Sequence, residues 1–390
     1  MKLFLRVLKW TGLGISSILL AGFLYLYFIY FGRPDEVVKV DEVNDTKWHT
    51  IPLKGSTMCS DGSEFVMYVR KGTSSNVIIY FSGGGACWDD STCGQPISLL
   101  SAFDGDSRDL KSFYLPSLMR FFPKAIGGMA DTGNPQNAFR DWNFVFIPYC
   151  TGDLHIGHTT NAYTFNGKKL NIHHNGRNNS LAALNWVFAN FKEADKLMVA
   201  GESAGAYGSA FWAPYIADHY AGKKIYQLSD GAALASNRWK EILDTVWQSQ
   251  SKDFLHLRIG KDIFEDALIH RADSVKRQIK YLHSNTLYDD VLTRFGAKLN
   301  HSSTHSNHFI DEWSGNTKAM MKRLTQANID YHYFITDSGY DPTRHATQHT
   351  MTTNELYYTN KADGISFAEW LKRNVIDEEN LSLGEKLLEK

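Results

Sequence analysis

The sequence predicts an α/β fold, with a mostly parallel central sheet, helices on both faces and cap insertions over one edge. Three observations lead there. Apolar runs of strand length alternate with helix-like stretches along most of the chain. Runs such as residues 76–81 are apolar almost throughout, as strands covered on both faces are. At one strand-to-helix junction stands Gly201-Glu202-Ser203-Ala204-Gly205, a Gly-x-Ser-x-Gly pentapeptide.

The N-terminus precedes the fold. Lys2, Arg6 and Lys9 lead into an uncharged run over residues 10–31. A bilayer is spanned by about 20 such residues, and basic residues ahead of the run place the rest of the chain outside. The run exceeds the apolar core of a cleavable signal, lacks a small-residue cut site and ends in closely spaced aromatics. Residues 1–9 are thus expected to be a basic cytoplasmic stretch and 10–32 a transmembrane anchor, with an uncleaved signal as the alternative. The domain that follows is expected to be extracytoplasmic: periplasmic, extracellular or lumenal. Residues 33–50 are acidic and read as a linker, 51–375 as one α/β domain, and 376–390 as a charged tail that frays.

Within the domain, strands are expected over 65–69, 76–81, 144–147, 196–200, 224–228, 278–282 and 331–335. Helices are expected over 180–191, 206–219 and 366–374. Residues 94–140 and 231–276 interrupt the alternation and are long enough to cap the edge of the sheet where the strands end. The formal charge is −1 over 390 residues, which argues against a nucleic-acid partner. The sequence leaves the oligomeric state open.

The pentapeptide carries the chemistry. A sharp turn between strand and helix has no room for side chains at its two glycines, and it exposes the serine hydroxyl above a helix N-terminus. Such a nucleophile needs oxyanion donors, a base and an orienting acid. Ser82-Gly83-Gly84-Gly85-Ala86-Cys87-Trp88 follows the strand at 76–81, where an α/β-hydrolase places its glycine-rich oxyanion loop. Gly84, Gly85 and Ala204 are the candidate N–H donors. A phosphate-binding role is excluded because no Gly-Lys-Ser/Thr ends the loop. The acid should follow a late strand: Asp289 or Asp290 after 278–282, with Asp230 as the alternative after 224–228. The base should follow the last strand, where His345 and His349 stand. Asp153, His155 and His158 follow the strand at 144–147 and are candidates to contact substrate. His173-His174 reads as a solvated pair. His301, His305 and His308 lack a supporting carboxylate pattern, no Cys-x-x-Cys occurs, and no metal site or cofactor is expected. Cys87 and Cys93 flank a short loop and are placed to pair locally, which leaves Cys59 with Cys150.

In order along the chain, several segments resemble the pectin acetylesterase/Notum family of α/β-hydrolase carboxylesterases. They are Thr57-Met58-Cys59-Ser60-Asp61-Gly62-Ser63, the Gly83–Trp88 loop, Phe146-Ile147-Pro148-Tyr149-Cys150-Thr151-Gly152-Asp153, the elbow, Leu287-Tyr288-Asp289-Asp290 and His349-Thr350-Met351. The resemblance implies an α/β-hydrolase fold over about residues 57–372. It also implies Ser203 as nucleophile, Asp289 as acid, His349 as base, and pairing of Cys59 with Cys150 and Cys87 with Cys93. There are departures. The animal Notum branch, which removes a palmitoleoyl lipid from a signalling protein, carries a bulky aromatic at the place of Gly85 and more cysteines. A membrane anchor in place of a secretion signal is a third difference. Lipid deacylation is therefore not carried over. The expectation is a serine esterase acting on a short acyl ester, acetyl-like, of a small molecule or glycan. An acyltransferase using the same triad and a silent binding protein of this fold are the alternatives.

Overall fold

A computed structural model of the chain describes residues 32–98, 111–118, 122–270, 278–302 and 306–389, together with Ser17, Leu20 and Gly22. The anchor expected over 10–32 lies almost wholly outside these residues. Among the described residues, no helix is long and apolar enough to cross a membrane.

Eight strands form the central sheet: β1 (Trp48–Pro52), β2 (Val66–Arg70), β3 (Val77–Phe81), β4 (Asn143–Ile147), β7 (Leu197–Glu202), β8 (Ile225–Asp230), β9 (Ile279–Thr286) and β10 (Asp330–Thr336). Their spatial order is β1-β2-β4-β3-β7-β8-β9-β10. The first two pairings, β1 with β2 and β2 with β4, are antiparallel; the rest are parallel. A separate hairpin of β5 (Thr159–Phe165) and β6 (Lys168–His174) stands apart from the sheet.

The continuous apolar runs have the predicted cause. In β3, Val77, Ile79 and Phe81 point into one core, and Ile78 and Tyr80 into the other. Helices α1 (Gly176–Asn190), α2 (Ala204–His219), α3 (Ile263–Ile269), α4 (Asp290–Leu299) and α5 (Asn307–Gln326) supply the first core, through Leu184, Trp212, Phe264, Leu292 and Met321 among others. Helix α6 (Phe367–Val375) supplies the second through Trp370 and Leu371. Its N-cap is Ser366, whose hydroxyl accepts the Glu369 N–H at 3.2 Å.

Every predicted strand is present to within a few residues. Several elements were not predicted. β1 is polar and ends in Pro52 because it is an edge strand. The β5–β6 hairpin closes on Asn166-Gly167, both with positive φ, a turn signal that the sequence displayed. Helices α4 and α5 fill the connection between β9 and β10.

Two expectations are corrected. The segment 33–50 is no free linker: Val40 and Val43 are buried between its acidic residues, and the Thr50 and Val37 amides bond to the Asp35 and Thr50 carbonyls at 2.8 and 3.0 Å. The charged tail does not fray either. Leu383 exchanges bonds with Tyr333 and Ile335 of β10, and buried Lys280 donates to the Glu379 carbonyl and to Asn380. Its apolar Leu383 and Leu388 decide the matter over its charge.

Candidate active site

The parallel strands end together on one edge of the sheet, and the elbow rises there from β7. Ser203 has φ 52° and ψ −123°, a conformation that a non-glycine residue adopts only under constraint. Two close approaches supply the constraint. A Cβ on Gly201 would stand 2.0 Å from the Gly205 carbonyl oxygen, and one on Gly205 would stand 1.9 Å from the Phe81 carbonyl oxygen. Only glycine fits either place, so strand β3, strand β7 and helix α2 meet at main-chain contact. The Ser203 N–H is held by the Asp230 carbonyl at 2.8 Å.

The glycine loop lies against the serine. A Cβ on Gly83 would meet Ser203 Cβ at 2.9 Å. Gly84 and Gly85 have φ of 155° and 78°. The segment around Tyr114 bridges to this loop using the Gly84 carbonyl and the Ala86 N–H. Among the described residues, the N–H groups of Gly84, Gly85 and Ala204 donate to no acceptor. Behind the loop, Cys87 pairs with Cys93, and Cys59 ties the segment before β2 to Cys150 after β4.

On the other side, Asp289 and His349 meet. His349 Nδ1 lies 2.7 Å from Asp289 Oδ2, with the carboxylate fully buried. Asp289 also caps α4: its Oδ1 accepts the Val291 and Leu292 N–H groups at 3.0 and 2.8 Å. That fixes one oxygen and turns the other to the histidine. His349 Nε2 is buried and has no hydrogen-bond partner among the described residues. Burial would lower the imidazole, but the charge and hydrogen bond of Asp289, with Asp230 and Glu202 beyond, outweigh it and raise the group above 6.5.

The alternatives are placed elsewhere. Asp290 points outward to Arg294 and Arg344 at 2.8 and 2.6 Å. His345 has both ring nitrogens engaged, by Tyr340 at 2.6 Å and Asp311 at 2.8 Å. Asp230 is fully buried and faces the segment after His349, not its ring. Asp153 and His155 do not line the cleft, contrary to expectation. Asp153 accepts from Thr151 Oγ1 and the Gly176 N–H, and burial pushes its carboxyl up to about 6. His155 lies under the glycine loop with Nε2 3.0 Å from the Ser82 carbonyl, and burial pushes it down to about 4. His158 is exposed. His174 is not solvated but fully buried, bonded to Tyr163 and to the Thr151 carbonyl. It lies near Cys87 and Cys93, whose sulfurs are spent in their disulfide. His301 and His308 are described and His305 is not.

A narrow apolar pocket opens beside Ser203, walled by Leu154, Tyr207, Leu234, Trp239, Leu292 and Phe295. Its volume is about 20 Å³, where roughly 10–15 Å³ by this measure admits one water.

The sequence profile of the pectinacetylesterase family matches residues 40–251, just over half of the chain. The chain belongs to the pectinacetylesterase family. Among curated pectinacetylesterase-family relatives, palmitoleoyl-protein carboxylesterase NOTUM of Schmidtea mediterranea is 27% identical over 182 residues, 43% of this chain and 32% of its own length. Palmitoleoyl-protein carboxylesterase notum2 of Xenopus laevis is 28% identical over 154 residues, 38% of this chain and 28% of its own. The match thus spans about a third of those relatives. The Drosophila Wnt deacylase Notum superposes with a TM-score of 0.60 at 17% identity, over 87% of this chain and 96% of that one. A second crystal form gives 0.58 at 18% identity, over 86% and 94%. The shared fold is the α/β-hydrolase fold with a mostly parallel sheet.

Proposed function

We propose that this pectinacetylesterase-family chain is a serine carboxylesterase that cleaves a short acyl group, acetyl in size, from an oxygen of a small molecule or glycan. Ser203 Oγ attacks the ester carbonyl while His349 Nε2 takes its proton. Asp289 holds the imidazole tautomer and balances the charge it gains. The Gly84, Gly85 and Ala204 N–H groups face the oxygen that becomes negative in the tetrahedral intermediate. His349 then protonates the leaving alcohol, and water resolves the acyl-enzyme by the same path in reverse. None of these steps calls for a cofactor.

The observation that carries this reading is the Asp289–His349 pair. The far nitrogen of its imidazole is free, and it stands on the same sheet edge as a serine held in elbow geometry. The narrow apolar pocket beside Ser203 supports a small acyl group. The two disulfides support an oxidising compartment outside the cytosol. With them, the apolar run at 10–31 supports tethering to a membrane.

A fluorophosphonate probe followed by peptide mapping tests the nucleophile; no label on Ser203 in folded protein would overturn the reading. Rates on p-nitrophenyl esters from acetyl to palmitoyl test the acyl length. The acetyl and propionyl esters should be the best substrates, and a maximum at long chains would refute the pocket argument. Transfer to an added sugar hydroxyl faster than to water would make the protein an acyltransferase.

A further inference from the structure

Asp230 is bonded to both arms of the site at once. Its main-chain carbonyl accepts the Ser203 N–H at 2.8 Å. Its carboxylate Oδ2 accepts the Met351 N–H at 2.6 Å, the Thr352 N–H at 2.8 Å and the Thr352 hydroxyl at 2.5 Å. Its Oδ1 accepts the Ser284 hydroxyl at 2.7 Å. Glu202 stands directly opposite Asp230 in the β7–β8 register and immediately precedes the nucleophile. Its Oε2 accepts the hydroxyl of Thr353, one residue further along the same loop, at 2.5 Å.

The loop that these carboxylates hold has no regular structure of its own. It runs from β10 through His349 and contains Thr350 at φ 56°, an unfavourable conformation for a β-branched residue. The His349 ring lies over Gly231, the residue after Asp230: a Cβ there would meet His349 Cε1 at 3.1 Å. Burial raises both carboxyls above their usual range, which is the cost of placing two acids side by side. Simple strand ends would not need them. A buried acid and a half-buried one spent on three consecutive loop residues, Met351 to Thr353, fit a demand for position.

Resting on the esterase reading, we propose that Asp230 and Glu202 are positioning residues. They form a carboxylate clasp that holds the His349 loop in register with Ser203 without touching the reacting atoms.

The test uses the loop's own hydroxyls, which are gentler to remove than the acids. Thr352→Val and Thr353→Val are compared with Ser209→Ala, which deletes a buried hydroxyl bonded to the Ala206 and Leu228 carbonyls, away from the loop. On p-nitrophenyl acetate, the double Thr352→Val/Thr353→Val variant should lose roughly 10- to 100-fold in kcat with KM within about threefold. Ser209→Ala should stay within about twofold at a similar loss of thermal stability. The downfield proton resonance of the His349–Asp289 hydrogen bond should broaden or move in the double variant only. In a double-mutant cycle, Thr353→Val should have no further effect once Glu202→Gln is present, and Thr353→Ser should restore the rate. Equal kcat in the double variant and Ser209→Ala, or an unmoved resonance, overturns the clasp. Ser203→Ala separates the two claims: if it retains turnover, the esterase reading fails, whatever the clasp variants do.

Discussion

The two arms of this site are built by different means. The proposed nucleophile arm is made of main-chain collisions: Gly83, Gly201 and Gly205 stand where any Cβ would strike backbone or Ser203 itself. Its contacts join the loop after β3 to the elbow after β7, two segments far apart in the chain, and a disulfide spanning six positions stiffens that loop. The proposed base arm also joins distant segments, but through polar contacts. Asp289 and His349 are 60 residues apart, and the Asp230 and Glu202 bonds to the loop span 121 to 151 residues. Steric construction fixes a shape regardless of charge. Polar construction fixes it only while each partner keeps its protonation state and its hydrogen bonds.

That contrast can be broken in order of effect. Ser203→Ala should lower kcat by roughly 10⁵- to 10⁶-fold, and His349→Ala by a comparable factor, with unchanged thermal midpoints; active-site titration beside calorimetry checks both. Asp289→Asn should cost roughly 10³- to 10⁴-fold in kcat through loss of the correct tautomer. Asp290→Asn should cost under about threefold, so steady-state rates of the pair distinguish them. On the steric arm, Gly205→Ala should act on folding, losing about 3 kcal/mol or more to the collision with the Phe81 carbonyl. Urea unfolding reads this, and an unchanged midpoint would show that the elbow is softer than described.

The pH profile sharpens the comparison further. The base must be neutral to work, and the His349 imidazole is raised above 6.5, so kcat/KM should climb with pH along a limb centred above that value. Asp289→Asn should move the limb downward, because burial then acts without its counter-charge. The same sign governs stability. A raised imidazole contributes most below 6.5, and its contribution is lost as pH rises through the folded value. The smallest effect belongs to His345→Ala. Both its nitrogens serve surface partners, and rates should stay within about threefold of the parent.

How much could be read in advance follows the same division. Ser203, the glycine loop and seven of the eight sheet strands were legible because local sterics and alternating burial enforce them. Asp289 could not be told from Asp290 on position. The distinction lies in capping geometry, where one carboxylate turns to the α4 amides and the other to two arginines. His349 and His345 differ by one helical turn in number, but by partners that only the folded chain supplies. Asp153 and His155 looked like cleft residues because they follow a strand end; in the fold they are buried beneath the glycine loop. The docking of 33–50 and of the tail was hidden by charge, since a few apolar residues among many acids suffice to bury a segment.

Gly85 has a consequence for how this chain can change. A Cβ there would lie 1.9 Å from the Phe113 carbonyl oxygen, so the wall beside the oxyanion loop is main chain, not a side chain. Trimming a residue can widen a pocket lined by side chains, but no substitution trims a carbonyl. Admitting a bulky group at position 85 requires the strap at 113–115 to retreat as a unit. The pocket therefore has two kinds of wall: side chains such as Leu154 and Phe295 that single substitutions can trim, and a main-chain strap beside Gly85 that only a change of loop path can move.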